Sequence, residues 1–347
     1  MKEILIVIFC FLNFLCISAQ SENAAAQEAE RKKMMDATMK TEDVNGWFRK
    51  GGIGLDLGQL MNINPYIGGG ANRIGIGGAI AYKANLKKGM LRWNNDFNIN
   101  FSTQKIGNGK LVGSDEKIPF EKALDIVTLS SNLSYKVKEG SPWAYSGDLF
   151  FLSQFTKSYY DSISKKIFLK DLHTPNINTG LVSKLFSPAN VSFALGMKYQ
   201  KNDNWYVFLS PVALKAILIS DQAIANLGVH GTKKADNGSE YKKSLFGVGA
   251  LARGGYTTKI WNRLNFGSEL LLFSDYLDHP NNIDVTWLNN IGVEIFKGFN
   301  LNFKIDAYYD DNKTNSISDF NAEGGINGSG KRVNLIQQLL LVYNRNF

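Results

Sequence analysis

Beyond residue 16 the chain has no cysteine. Its only two, Cys10 and Cys16, lie in an apolar opening segment, so a chain shorn of that segment can form no disulfide, thiolate nucleophile or thiolate metal site. Long hydrophobic runs are missing too. After Ile17 no stretch approaches the ~18 apolar residues of a membrane helix, and mean hydropathy is −0.17, which excludes a helical membrane protein. Histidine is confined to His173, His230 and His279, and neither an HExxH run nor a carboxylate-histidine cluster accompanies them. No metal, cofactor or enzymatic activity is therefore expected.

The opening residues MKEILIVIFCFLNFLCISAQ place Lys2 before an apolar run from Ile4 to Ile17, closed by Ser18 and Ala19. That is the layout of an export signal, and the run falls short of the roughly twenty residues a helical span needs. Residues 1–19 are read as a cleaved signal peptide. Leu15 precedes Cys16 and Phe9 precedes Cys10, so a lipoprotein signal is not expected. The formal charge of +8 survives cleavage, because Lys2 and Glu3 cancel. In an exported chain such a balance points to anionic outer-membrane lipid and lipopolysaccharide rather than to nucleic acid.

Residues 20–45 are rich in Ala, Glu, Lys and Met and read as a polar periplasmic leader, helical or disordered. A Met34, Met35 and Met39 stripe is its one apolar feature. Its basic Arg31, Lys32 and Lys33 are where a periplasmic partner would bind.

From Trp47 onward the periodicity is two. In RWNNDFNINF, Trp93, Phe97, Ile99 and Phe101 alternate with Arg92, Asn94, Asp96, Asn98 and Asn100, and PWAYSGDLFFLSQF and GFNLNFKIDAYYDD repeat the pattern. Alternation alone also fits a secreted sandwich or propeller. Sandwich strands, however, average five or six residues, whereas several runs here keep phase for about ten, the length of a tilted transmembrane strand. Connections alternate as well. Tight turns are expected at 87–89, 139–141, 187–189, 261–263 and 297–298, with longer links at 61–71, 104–119, 159–173, 221–242 and 313–331. That asymmetry belongs to outer-membrane barrels.

The expected fold is all-β, a transmembrane antiparallel up-and-down barrel over residues 46–347. Its strands are read at 46–60, 70–86, 89–104, 120–138, 142–158, 174–186, 189–201, 204–220, 243–260, 263–278, 283–296, 299–312 and 332–347. An odd count conflicts with both termini lying in the periplasm. Ser210-Pro211 resembles the Ser187-Pro188 turn, and dividing 204–220 there gives about fourteen strands. Twelve remain if the first segment lies outside the wall. The chain ends with Leu339, Leu341 and Tyr343 in one parity and a terminal Phe347, a pattern resembling the signal read by the outer-membrane assembly machinery. Arg345 departs from the apolar residue usual at its step.

Gly46-Trp47, Gly51-Gly52, Gly68 to Gly70, Asn72, LKKGMLRWNND, Leu209-Ser210-Pro211, FGVGA from Phe246, LLLFSDYL from Leu270, NNIDVTW from Asn281 and DAYYDDN from Asp306 together resemble the Bacteroidota outer-membrane family known as domain of unknown function 3078. Pro65-Tyr66 departs from the Asn-Trp pair expected before the Gly-rich segment. The resemblance implies a barrel and transfers no catalytic residues. GGGANRIGIGG continues in strand phase through Ile74, Ile76 and Ile80, so it is not read as a dinucleotide fingerprint, which would open a helix.

The charged residues of polar parity are the candidate lumen lining: Arg92, Asp96, Asp148, Arg253, Glu269, Asp275, Asp284, Glu294, Lys304, Asp306 and Asp310. Facing lipid, an Arg or Lys near the midplane would cost ~2–4 kcal/mol. Arg253 should lie opposite Leu271, one diagonal step from Glu269, and pair with it. The set reads either as a solute pathway or as a network bracing the barrel. The functional expectation is a porin-like passive channel or carrier for a small or amphipathic solute. The rival is a structural, assembly or anchoring protein of the outer membrane.

Overall fold

The computed structural model describes residues 45–346 apart from 61–72, 107–119, 162–165, 170–178, 203, 231, 236–237, 262, 278, 298, 310–314, 320–325 and 331–332. The expected signal peptide and almost all of the leader lie outside the described residues.

Twelve long strands form the wall: β1 (Gly46–Leu60), β2 (Arg73–Lys88), β3 (Leu91–Ile106), β4 (Glu121–Lys136), β5 (Trp143–Ser153), β9 (Ala189–Tyr199), β10 (Trp205–Leu218), β11 (Ser244–Ile260), β12 (Leu264–Asp275), β13 (Asp284–Phe296), β14 (Phe299–Tyr309) and β17 (Asn334–Asn346). Each pairs antiparallel with its neighbours in that order, β3 pairs with β4, and β17 pairs back onto β1. The ring is therefore closed and no wall strand keeps an open edge. Three short strands, β6 (Ser158–Asp161), β7 (Lys166–Phe168) and β8 (Thr179–Ser183), extend the sheet at one rim, and β15 (Asn315–Asp319) with β16 (Ile326–Gly330) make a separate hairpin. Wall strands run from 11 residues in β5 to 17 in β11, enough to cross a bilayer at a tilt.

Two expectations about strand count change. The segment 174–186 is not a wall strand: Thr179–Ser183 pairs with β6, and Lys184 bridges Ser187 within the long link from β5 to β9. Ser187 closes a tight Leu185-Phe186 turn with Lys184 just before Pro188, but that turn lies within the link and does not join two wall strands. Residues 205–218 form one strand and not two, because Ser210-Pro211 is a β-bulge. Three steps on β10, Ser210 to Ala213, face two on β11, Leu251 to Gly249. Pro211 and Val212 both point outward there while Ser210 and Ala213 stay buried. A bulge leaves one residue out of the ladder, so proline's missing N–H costs nothing. Ser210 Oγ donates to the carbonyls of Leu195 and Val212, both at 2.8 Å, and holds the kink. The first segment does lie in the wall, between β2 and β17. Twelve strands with both ends at one rim follow from these changes rather than from losing the first segment.

The described turns at 89–90, 137–142, 200–204, 261–263 and 297–298 share that rim with the chain's two described ends. The strand ends at Leu60, Arg73, Ile106, Glu121, Ser153, Ala189, Leu218, Ser244, Asp275, Asp284, Tyr309 and Asn334 lie at the other. Aromatic residues gather near the tight turns: Trp47 packs against Trp93 at 5.8 Å, Trp143 edge-on against Tyr199 at 4.8 Å, and Tyr199 against Trp205 at 5.3 Å. Such a ring is where a membrane-water interface places amphipathic rings. At the long-link rim a single helical turn, α1 (Gln222–Ala225), is capped by Asp221, whose carboxylate accepts from the Ala223 and Ile224 amides. It docks buried Ile224 against Ile219, with Leu181, Ile217 and Tyr241 around them.

Candidate functional site

Period-two sequence in a closed ring sorts side chains into two sets. Trp93, Phe97, Leu129, Leu133, Tyr145, Leu149, Phe193, Leu195, Leu209 and Leu214 are exposed, while Asn98, Asn100, Thr128, Ser134, Ser146, Ala194 and Phe208 on the same strands are buried. An outside that is apolar and an inside that is largely polar invert the arrangement of a soluble sandwich. Every wall strand also finds its backbone partners within the ring, which hydrocarbon demands. The fold is a transmembrane β-barrel of outer-membrane type.

Inside, toward the tight-turn rim, the walls reach toward each other. Arg253 on β11 and Asp148 on β5 form an ion pair at 3.3 Å, although β9 and β10 separate their strands. Asn132 donates to the same carboxylate and, at 2.9 Å, to Ser146; Ser134 donates to Asn132 Oδ1 at 2.8 Å. Tyr206 donates its hydroxyl to Glu269 at 2.8 Å, and the Lys198 ammonium stands 4.9 Å over the Tyr206 ring. Phe208 lies directly opposite both Lys198 and Arg253 in register. It belongs to an apolar patch with Ala194, Ala213, Leu251 and Phe273, flanked by Tyr206 and Leu271.

Toward the long links a second pair spans three strand steps. Lys215 on β10 reaches Asp284 on β13 at 3.6 Å, its ammonium 3.5 Å above the Phe273 ring. Asp275 sits against Gly247, where any Cβ would meet its Oδ2 at 2.6 Å. The rim itself is fastened by Asp125. Its carboxylate accepts from the amides of Phe155 and Thr156 and from the Thr156 hydroxyl, and pairs with Lys122, both side chains being almost fully buried. Lys122 also donates to Gln154, Ser158 and the Thr156 carbonyl.

The residues expected from the sequence fall as follows. Arg253 lies opposite Leu271 as anticipated and interacts electrostatically with Glu269, whose carboxylate also accepts from Tyr206, while its ion pair at 3.3 Å is with Asp148. Asp284 meets Lys215, and Asp96 lies 3.7 Å from Lys83. Arg92 stands at the tight-turn end of β3, opposite Lys87. Glu294 is exposed near the 297–298 turn, opposite Asn300. Lys304 and Asp306 occupy register positions opposite Asn290 and Leu288, and Asp310 lies outside the described residues. In β17, Leu339, Leu341 and Tyr343 are paired with Phe303, Leu301 and Phe299; Phe347 is likewise outside the described residues. Lys83, Lys198, Tyr206 and Lys215 were missed, although their parity could have shown them. Lys122 and Asp125 carried no such signal, because their partners come from the 154–158 segment. Among the described residues no group of His, Cys, Asp or Glu is arranged to hold a metal ion.

Residues 59–159 match the family described as Protein of unknown function (DUF3078), the family that the sequence motifs resemble. No curated protein matches the chain. Among solved structures it is similar to an outer membrane channel from Pseudomonas putida F1, at 12% identity and a TM-score of 0.40, covering 89% of this chain and 100% of that one. The translocator domain of autotransporter NalP from Neisseria meningitidis gives 12% identity and 0.39, with 92% and 95% covered. The P. putida toluene transporter TodX gives 10% and 0.29, with 88% and 91% covered. No residue role passes from these proteins to this chain.

Proposed function

We propose that the barrel is a passive channel or carrier of narrow bore for a small or amphipathic solute. The observation that supports this reading is the division of the inner wall. Buried Asn98, Asn100, Ser134 and Ser146 make the β3 to β5 side of the interior polar, while buried Phe208, Leu251 and Phe273 make the β10 to β12 side apolar. Such a division suits a solute that itself has a polar and an apolar side. Twelve strands enclose more space than the eight whose side chains fill a barrel, and the Arg253–Asp148 and Lys215–Asp284 pairs both reach into it. The test is uptake of radiolabelled solutes into liposomes, with planar-bilayer conductance alongside. Small steps or saturable uptake are expected; neither conductance nor uptake would end the transport reading.

A second reading, a braced barrel that anchors surface links or a periplasmic partner, draws on the interior packing around Ile126 and Thr128, both fully buried. A stoichiometric partner recovered from native membranes, and lost on deleting residues 20–45, would favour it.

A further inference from the structure

The tight-turn mouth of the barrel holds a cavity of about 150 Å³ between β3, β4, β5 and β9. At ~30 Å³ per water that is room for roughly five waters, or a compact anion with part of its hydration shell. Arg92, Lys136, Lys198 and Lys201 line it, together with Asn94 and Gln200 and with no carboxylate among the lining residues. Arg92 and Lys198 come from strands three steps apart and interact electrostatically, Lys198 also with the Asp148 carboxylate, so these bases face a shared space and do not fan out over a surface. A guanidinium with ammonium groups and amide side chains is the donor set that suits a multiply charged oxyanion.

We propose that this vestibule binds phosphate-class oxyanions, either the free anion or a small phosphate monoester, at the turn end of the barrel. The proposal deepens the solute-carrier reading, and binding and flux can be measured separately. The full chain, refolded in a detergent without phosphate, is titrated with inorganic phosphate by calorimetry and phosphorus NMR, with chloride as the background salt. Glycerol phosphate, which mimics a lipid headgroup, is titrated in parallel. Saturable binding of inorganic phosphate is expected. Arg92→Gln and Lys198→Gln should each weaken it by about tenfold, the loss that goes with one charge-assisted hydrogen bond. Lys198→Arg should retain it, and Lys233→Gln, in the 219–243 link, should leave it unchanged. Heat resistance on electrophoresis checks that each variant is folded. The proposal is overturned if inorganic phosphate shows no saturable binding, if glycerol phosphate alone binds, or if folded Arg92→Gln and Lys198→Gln bind as the parent does. A barrel that binds phosphate in micelles but moves no solute across liposomes upholds the site and removes the carrier reading.

Discussion

Arg253 and Asp148 meet at 3.3 Å across the interior, from strands that never touch in the wall. An ion pair between adjacent strands restates a contact the backbone ladder already makes. One between β11 and β5 ties together the curvature of the ring, because it forms only when the sheet has closed to the right diameter.

Removing that tie should loosen the barrel. Arg253→Ala leaves Asp148 with its Asn132 contact and the Lys198 charge but without its ion pair, in a site where the two side chains are 25% and 15% exposed. Discounted for that exposure, a loss of about 1–2 kcal/mol is expected, read as a lower unfolding midpoint in urea. Arg253→Glu should cost more and shift ion preference toward cations, since it adds a carboxylate beside Asp148 and Glu269. The double exchange Arg253→Asp with Asp148→Arg should recover part of the midpoint. Unchanged midpoint and selectivity in Arg253→Glu would mean that the bridge carries no strength.

Asp125→Ala should be the more damaging substitution. It strips two backbone amides and a hydroxyl of their acceptor and leaves the Lys122 ammonium buried without its anion. Breaking a buried pair in this way costs about 3–5 kcal/mol. The variant should lose heat resistance on electrophoresis and become susceptible to proteolysis within 154–158. A heat resistance equal to that of Arg253→Ala would reverse the ranking argued here.

Gly196 and Gly147 separate backbone from side-chain crowding. A Cβ at Gly196 would lie 1.9 Å from the Leu209 carbonyl oxygen, at the bulge, whereas at Gly147 it would meet the Leu195 side chain at 3.2 Å. Gly196→Ala should therefore reduce refolding yield severalfold, because the ladder must shift, and Gly147→Ala should refold close to the parent. Equal yields would show that the bulge can move.

The Asp221 carboxyl outside the membrane region titrates below its ordinary value, because the Lys184 ammonium hydrogen-bonds to it at 2.5 Å and the Ala223 and Ile224 amides donate to it as well. A depressed folded-state pKa means that the cap's contribution is present above the unfolded carboxyl value of ~3.9 and is lost as pH falls through the lower folded value. The Ala223 and Ile224 amide shifts should stay constant from neutral pH down to about pH 4 and change only below it. Lys184→Ala should move that change upward in pH. A midpoint unaffected by the substitution would remove Lys184 as the cause.

The barrel was legible in the sequence because its two faces differ at every second residue: Trp93, Phe97 and Leu149 against Asn98, Asn100 and Ser146. Register on a hairpin was legible for the same reason, as the Arg253 and Leu271 pairing illustrates. What stayed hidden depends on closure and on local backbone choice. Ser187-Pro188 and Ser210-Pro211 read alike, yet one lies in a link and the other is a bulge inside a strand, and only the neighbouring ladder distinguishes them. Asp148 escaped as the partner of Arg253 because parity puts both inside without saying which lie opposite each other around a ring. The Asp125 anchor was hidden because its partners are mostly backbone amides of a segment about thirty residues away, and amides carry no side-chain signature.

Among the described residues the joint between β1 and β17 extends from Gly52–Asn346 to Asp56–Val342, while β1 and β2 are paired all the way from Gly46–Lys87 to Leu60–Arg73. A hoop under tension parts at its shortest weld. Pulled open by force, or pried apart by a machine that feeds in strands one at a time, this cylinder would unzip there and become a curled ribbon. Its other hydrogen-bonded seams would still hold, ready to snap shut again along the same five-residue edge.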